Sequence, residues 1–294
     1  LLLSLSTLTL NSAADDDGTW TYSLSGDKAT VTGCVATCPT ELVIPSTIDG
    51  YSVTSIGHDA FYNNELTSLT IPDSVTSINR DAFASNKLTE ITLGVGLISI
   101  GQSAFYNNEL TSLTIPENVT TISSTAFYIN QLTNLVIPDG VTSIGEKAFA
   151  RNQIANVRLP EGDTNYGTFV FDANVLASIT IPNSVTSIPA GMFYRNRLTN
   201  ITIPESITSI GGFAFAENLL TSVEIPDSVG SISSYAFQDN PLALITIGKG
   251  VTDIKRQAFY GDTTFTVLFL GDRPEIDARS FYNKSTQAGS QVAY

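Results

Sequence analysis

The chain has 294 residues, of which 42% are hydrophobic and 14% charged, a balance that supports a packed core and excludes a disordered chain. Its 28 acidic and 14 basic residues leave a formal net charge of −14. Nucleic acid and anionic headgroups require clustered Lys and Arg, so neither is an expected partner.

The first ten residues, LLLSLSTLTL, are apolar and hydroxylated, and NSAADDDG follows. Residues 1–14 read as the remnant of a secretory signal peptide, with Ser12, Ala13 and Ala14 suited to cleavage. A short capping strand is the alternative. Ten residues cannot cross a bilayer, which takes about 20 as a helix, and no later segment is a candidate, so membrane insertion is not expected. Cys34 and Cys38, the only cysteines, stand four apart in GCVATCP. In a secreted protein they can close a small staple; two free buried thiols are the other reading. Zinc, which wants four ligands, finds no further partners nearby, and no metal or cofactor is expected.

From residue 46 to 283 one period governs the chain. Phe61, Phe83, Phe105, Phe127, Phe149, Phe171, Phe193, Phe215, Phe237, Phe259 and Phe281 stand 22 residues apart without a slip. Self-similarity at that period is the signature of a leucine-rich solenoid. Within one unit, Leu66, Leu69, Ile71, Val75, Ile78, Ala82 and Phe83 are the inward positions. Leu69 and Ile71 lie two apart and share one side of a strand, with Ser68 and Thr70 on the other. Pro72 and its counterparts close the strand, since proline donates no ladder hydrogen bond; Gly94 and Gly248 stand in for it. A second extended piece, VTSI, follows, and GxxAFxxN reads as a helical or 3₁₀ turn. The fold expected is an α/β repeat solenoid, mostly β and irregular. It is a leucine-rich repeat arc with short parallel strands on its concave face and short helical or 3₁₀ turns elsewhere.

Asn64, Asn86, Asn108, Asn130, Asn152, Asn174, Asn196, Asn218 and Asn240 form a second column, which Asp262 continues. An amide there can satisfy turn backbone in its own coil and the next, so the column reads as a structural ladder. The unit at 154–175 keeps its length but places Asp163 and Tyr166 where others have Val and Ile; it is expected to bulge or bend the arc. Residues 284–294 read as a C-terminal tail.

The pieces IPDSVTSI at 71–78, IGEKAF at 144–149 and the repeated LTSLTIP closely resemble the BspA-like leucine-rich repeats of bacterial surface proteins and some parasitic protists. The stretch TWTYSLSGDKATVTGC, followed by LVIPSTIDGYSVTSIGHDAF, is similar to their strand-rich cap and first coil, which places the cap at 15–45. The resemblance implies a secreted or cell-surface adhesion scaffold with no catalytic residues to carry over.

The residues themselves point the same way. His58 is the only histidine, in a variable turn where other units hold Arg80, Gln102 or Glu146, and there is no GxSxG elbow or phosphate-binding glycine motif. The acidic run Asp15–Asp17 reads as a solvated terminus rather than a calcium site. A protein or glycan ligand is the expected partner. Two surfaces are candidates to hold it. One is the outward strand column, including Thr70, Glu90, Thr92, Thr114, Asn134, Arg158, Thr180, Asn200, Thr202, Glu224 and Leu244, in which Arg158, Glu224 and Leu244 break the small-polar pattern. The other is the Tyr column after the repeated Phe, with Tyr62, Tyr106, Tyr128 and Tyr194, a residue type favoured in interfaces. A repeat segment serving a larger surface protein or enzyme is the alternative function.

Overall fold

In the computed structural model, one coil of 22 residues stacks on the next for about 11 turns. The structure describes residues 18–261, 263–272, 274–277 and 279–282, together with the backbone of 13–14 and 292–293. The leader at 1–14 (apart from the backbone of Ala13–Ala14), the run Asp15–Asp17, Asp262 and most of the tail at 284–294 lie outside the described residues.

The N-terminal end is a hairpin. Trp20–Ser25 pairs antiparallel with Lys28–Cys34, turning at Gly26, whose φ of +65° suits glycine. Ala13–Ala14 adds an antiparallel strand on Tyr22 and Thr21. Lys28–Cys34 then pairs parallel with Tyr51–Ile56, and Trp20 sets its ring edge-on to Phe61 at 6.3 Å. The hairpin therefore covers the first coil, whose apolar interior would otherwise meet water. Cys34 and Cys38 are joined in a disulfide, with Cα atoms 5.5 Å apart.

Each coil contributes two extended pieces, and their ladders differ. The LTSLT pieces pair in three separate sheets. The first holds Glu41–Val43, Ser68–Thr70 and Glu90–Thr92, and the second Asn134–Val136 with Asn156–Arg158. The third runs from Ser222–Ile225 through Leu244–Ile247 and Thr266–Phe269 to Val292–Ala293. The shorter TSI pieces make the longer ladders. One runs from the N-terminal hairpin through Ser77–Ile78, Ser99–Ile100, Thr121–Ile122 and Ser143–Ile144 to Asn165–Tyr166; the other runs from Ser187–Ile188 to Glu275–Ile276. Register is uniform, Ser77 opposite Ser99 and Ile78 opposite Ile100, so identical columns stack. Leu69, Ile71, Val75, Ile78, Ala82 and Phe83 are all buried, while Thr70 is exposed.

The third side corrects one expectation. No helix occurs among the described residues, and GxxAFxxN is instead two tight turns. Nine successive coils, from that of Asp59 to that of Tyr235, carry two left-handed residues four apart, such as Asp59 and Asn63 (φ 54° each) or Thr125 and Ile129 (56° and 58°). Left-handed residues cannot continue a right-handed helix and cost roughly 1–2 kcal/mol each. The alternation aims successive amides along the stack. The N–H groups of Asp59, Phe61 and Asn63 donate to the carbonyls of Arg80, Ala82 and Ala84 in the next coil, at 3.1, 2.8 and 3.0 Å. A helix would have turned those bonds inward and left neighbouring coils unjoined.

Candidate functional site

The Asn column lies against this third side. Asn86 Oδ1 accepts the N–H groups of Asn64 and Leu66 at 2.9 and 3.0 Å, and its Nδ2 donates to the Phe61 and Phe83 carbonyls at 2.8 and 3.0 Å. Asn108, Asn130, Asn152, Asn174, Asn196, Asn218 and Asn240 are likewise buried and accept the leucine-position amide of the preceding coil. Asn64 differs. It is half-buried, and its Nδ2 donates only to its own coil, to the Tyr62 carbonyl at 3.0 Å. Beneath the ladder the Phe rings stack in parallel at 5.1 to 6.1 Å, and the two widest spacings, 6.0 and 6.1 Å, flank Phe171.

The predicted strand-face residues are all exposed: Thr70, Glu90, Thr92, Thr114, Asn134, Arg158, Thr180, Asn200, Thr202, Glu224 and Leu244. They do not form one flat face. Where the ladder lapses at 178–180 and 200–202, a cleft of about 610 Å³ opens among Glu161, Thr180, Asn183, Asn200, Thr202 and Pro204. A neighbouring cleft of about 360 Å³ extends it past Glu205 to Glu224. Arg158 is held by both oxygens of Asp139 at 2.9 Å. That pairing, with the Glu161 amide as second donor, keeps the Asp139 carboxyl below its ordinary range. Asp73, Asp139 and Asp227 each accept a backbone N–H from the residue 22 positions on, so the Asp of IPDS is a joint between coils.

Of the Tyr column, Tyr62 is exposed and Tyr106, Tyr128 and Tyr194 are half-buried. Tyr106 and Tyr128 stack at 5.8 Å, which commits one face of each to a neighbour. Column position 172 is held by a buried Asp rather than Ala or Tyr. Arg195 donates to both Asp172 oxygens, at 3.0 and 2.7 Å, and lies 4.7 Å over the Tyr194 ring. The Tyr194 hydroxyl donates to Glu217 at 2.8 Å; burial and that bond push it up to about 12. This network is absent from the sequence reading, though an Asp in an Ala/Tyr column and an Arg in the next coil were its signal.

His58 is exposed, 2.6 Å from Asp59, and these two with Asp81 form an exposed group in which Arg80 already pairs with Asp81 at 2.8 Å. No described helix is long and apolar enough to cross a membrane.

Among solved structures, a leucine-rich repeat protein of Bacteroides ovatus superposes with a TM-score of 0.70 at 24% identity, over 86% of this chain and 75% of its own. A leucine-rich cell surface protein of Faecalibacterium prausnitzii superposes at 0.58 and 24% identity, over 92% and 80%. At that identity the likeness shows the fold. No curated protein matches. The family description for BspA type leucine-rich repeat regions, six copies long, matches residues 54–176 and again 164–287. With most of the chain matched in register, this protein belongs to the BspA-type leucine-rich repeat family.

Proposed function

We propose that the chain is a non-catalytic binding scaffold of the cell surface or extracellular space, which holds a macromolecular partner on its LTSLT face. The observation that carries this reading is the cleft over coils 178 and 200. Two successive coils leave the strand ladder there, between the departures from the small-polar pattern at Arg158 and Glu224. Glu161 and Asn200 line it, Glu224 lines its extension, and the segments at 178–180 and 200–202 carry no ladder partner. An extended segment of a partner protein can use such backbone directly, with side-chain pockets giving selectivity. The acidic surface favours a basic partner and adds long-range attraction, which salt screens. Surface location is supported by the printed description of the Faecalibacterium prausnitzii neighbour as a cell surface protein.

The test is binding of the purified chain to immobilised matrix proteins, mucins and glycans, beside a variant carrying Thr202→Tyr and Glu224→Lys. Saturable binding to a matrix protein that the variant loses, with its melting unchanged, supports the reading. A variant that binds as well as the parent removes the function from this face. A folded chain that binds nothing points to a structural segment of a larger protein.

A further inference from the structure

The TSI ladder breaks once, between Asn165–Tyr166 and Ser187–Ile188, and three departures from the repeat meet at the break. The first is Pro189. In neighbouring coils the residue after the Ile column donates its N–H across the ladder, Gly167 to Ile144 at 2.7 Å and Gly211 to Ile188 at 2.8 Å. Proline has no N–H, so the Tyr166 carbonyl loses its counterpart donor. The second is Asp163. It stands in the column of Val141 and Val185, both buried, yet its own side chain is exposed. The third is Tyr166, which replaces an inward Ile and is 8% exposed. Its hydroxyl is fully enclosed without a hydrogen-bond partner. Burial holds the proton on that hydroxyl.

These three changes open a cleft of about 290 Å³ lined by Asp163, Thr164, Asn165, Tyr166, Ser184 and Thr186, among others. In a repeat that conserves its own columns so strictly, Val and Ile would have closed it. A buried hydroxyl without a partner costs stability, as does a missing core Val; the arrangement therefore serves something other than the stack. The lining offers one carboxylate, one amide, several hydroxyls and a free carbonyl. A single carboxylate is too few for a calcium ion, which takes 6–8 oxygen ligands, and no aromatic sandwich is present for a flat heterocycle. A ring bearing several hydroxyls, each both donor and acceptor, matches this mixture, and the volume sits at the lower limit of ligand pockets.

We propose that this break is a binding site for a single pyranose unit, with Asp163 and Asn165 at its mouth and Tyr166 at its floor. It lies on the TSI ladder, and the strand-face reading can fail without affecting it.

The experiment is titration of the ¹⁵N-labelled chain with methyl glycosides of glucose, galactose, mannose and N-acetylglucosamine. At least one is expected to give saturable shifts confined to amides near 163–166 and 184–187. The double variant Asp163→Val, Tyr166→Ile restores the repeat's own residues, so it should melt no lower than the parent while losing at least about tenfold in affinity, 1.4 kcal/mol. Glu224→Lys should bind the sugar as the parent does. The proposal is overturned if no glycoside shifts these amides, as for a cleft holding water alone, or if the double variant binds unchanged.

Discussion

Replacing Asn130 by Ala removes three buried hydrogen bonds at once. Its Nδ2 donates to the Phe105 and Phe127 carbonyls at 2.9 and 3.3 Å, and its Oδ1 accepts the Leu110 N–H at 3.1 Å. Alanine leaves the Leu110 amide unpaired within the stack, while the Phe105 and Phe127 carbonyls each keep one donor, from Asn108 at 3.2 Å and Asn152 at 3.0 Å. Each unsatisfied buried group costs about 1–3 kcal/mol, and a water entering the vacated space can recover part of that. With one group orphaned, Asn130→Ala should cost about 1–3 kcal/mol. Asn64 has the same identity and column, but its side chain bonds only within its own half-buried turn. Its replacement by Ala should cost no more than about 1 kcal/mol, since water reaches the freed carbonyl. Urea unfolding followed by circular dichroism measures both. Equal losses at Asn64 and Asn130 would refute the claim that the amide acts by joining coils.

Phe127→Ala should cost about 3–5 kcal/mol as a large-to-small change, because its fully buried ring stacks at 5.3 and 5.5 Å on Phe105 and Phe149; an unchanged thermal midpoint contradicts the spine. Tyr166→Phe keeps the ring and deletes the enclosed, unpartnered hydroxyl, so it should stabilise by about 1–3 kcal/mol, read as a raised urea midpoint. Asp139 is held below the ordinary carboxylate range by Arg158. Its contribution to stability is therefore full above a pH of about 3.9 and is lost as pH falls through the lowered folded value. Melting of Asp139→Asn from pH 7 to 2 should show a smaller acid loss than the parent.

The period, the inward columns and the exposed strand residues are legible in the sequence because each coil repeats one solution to the same packing problem. Phe127 has the same neighbours as Phe105, and a column of identical residues reports its own environment. The turn conformation is not legible that way. Ile129 and Phe169 adopt positive φ, which their residue types disfavour, and only the amide-to-carbonyl bonds between coils explain it. That the brief TSI pieces form the more continuous ladders also escapes a local reading, since pairing depends on the neighbouring coil. The breaks are different. Pro189, Asp163, Tyr166 and Asp172 each violate a column in plain view, and the expected bulge at 154–175 takes the form of a broken ladder, a polar cleft and widened Phe spacing around Phe171. The exposed tyrosines are legible as a column, but not their pairwise stacking, which withdraws part of their surface from any partner.

The central claim is that recognition belongs to the irregular part of the LTSLT face. Hydrogen–deuterium exchange of the chain, free and bound to whichever matrix protein it captures, tests this most directly. The account predicts protection concentrated at 178–183, 200–205 and 222–226, with the Tyr62, Tyr106 and Tyr128 turns unchanged. Protection centred on those turns, or spread evenly along every coil, would contradict it.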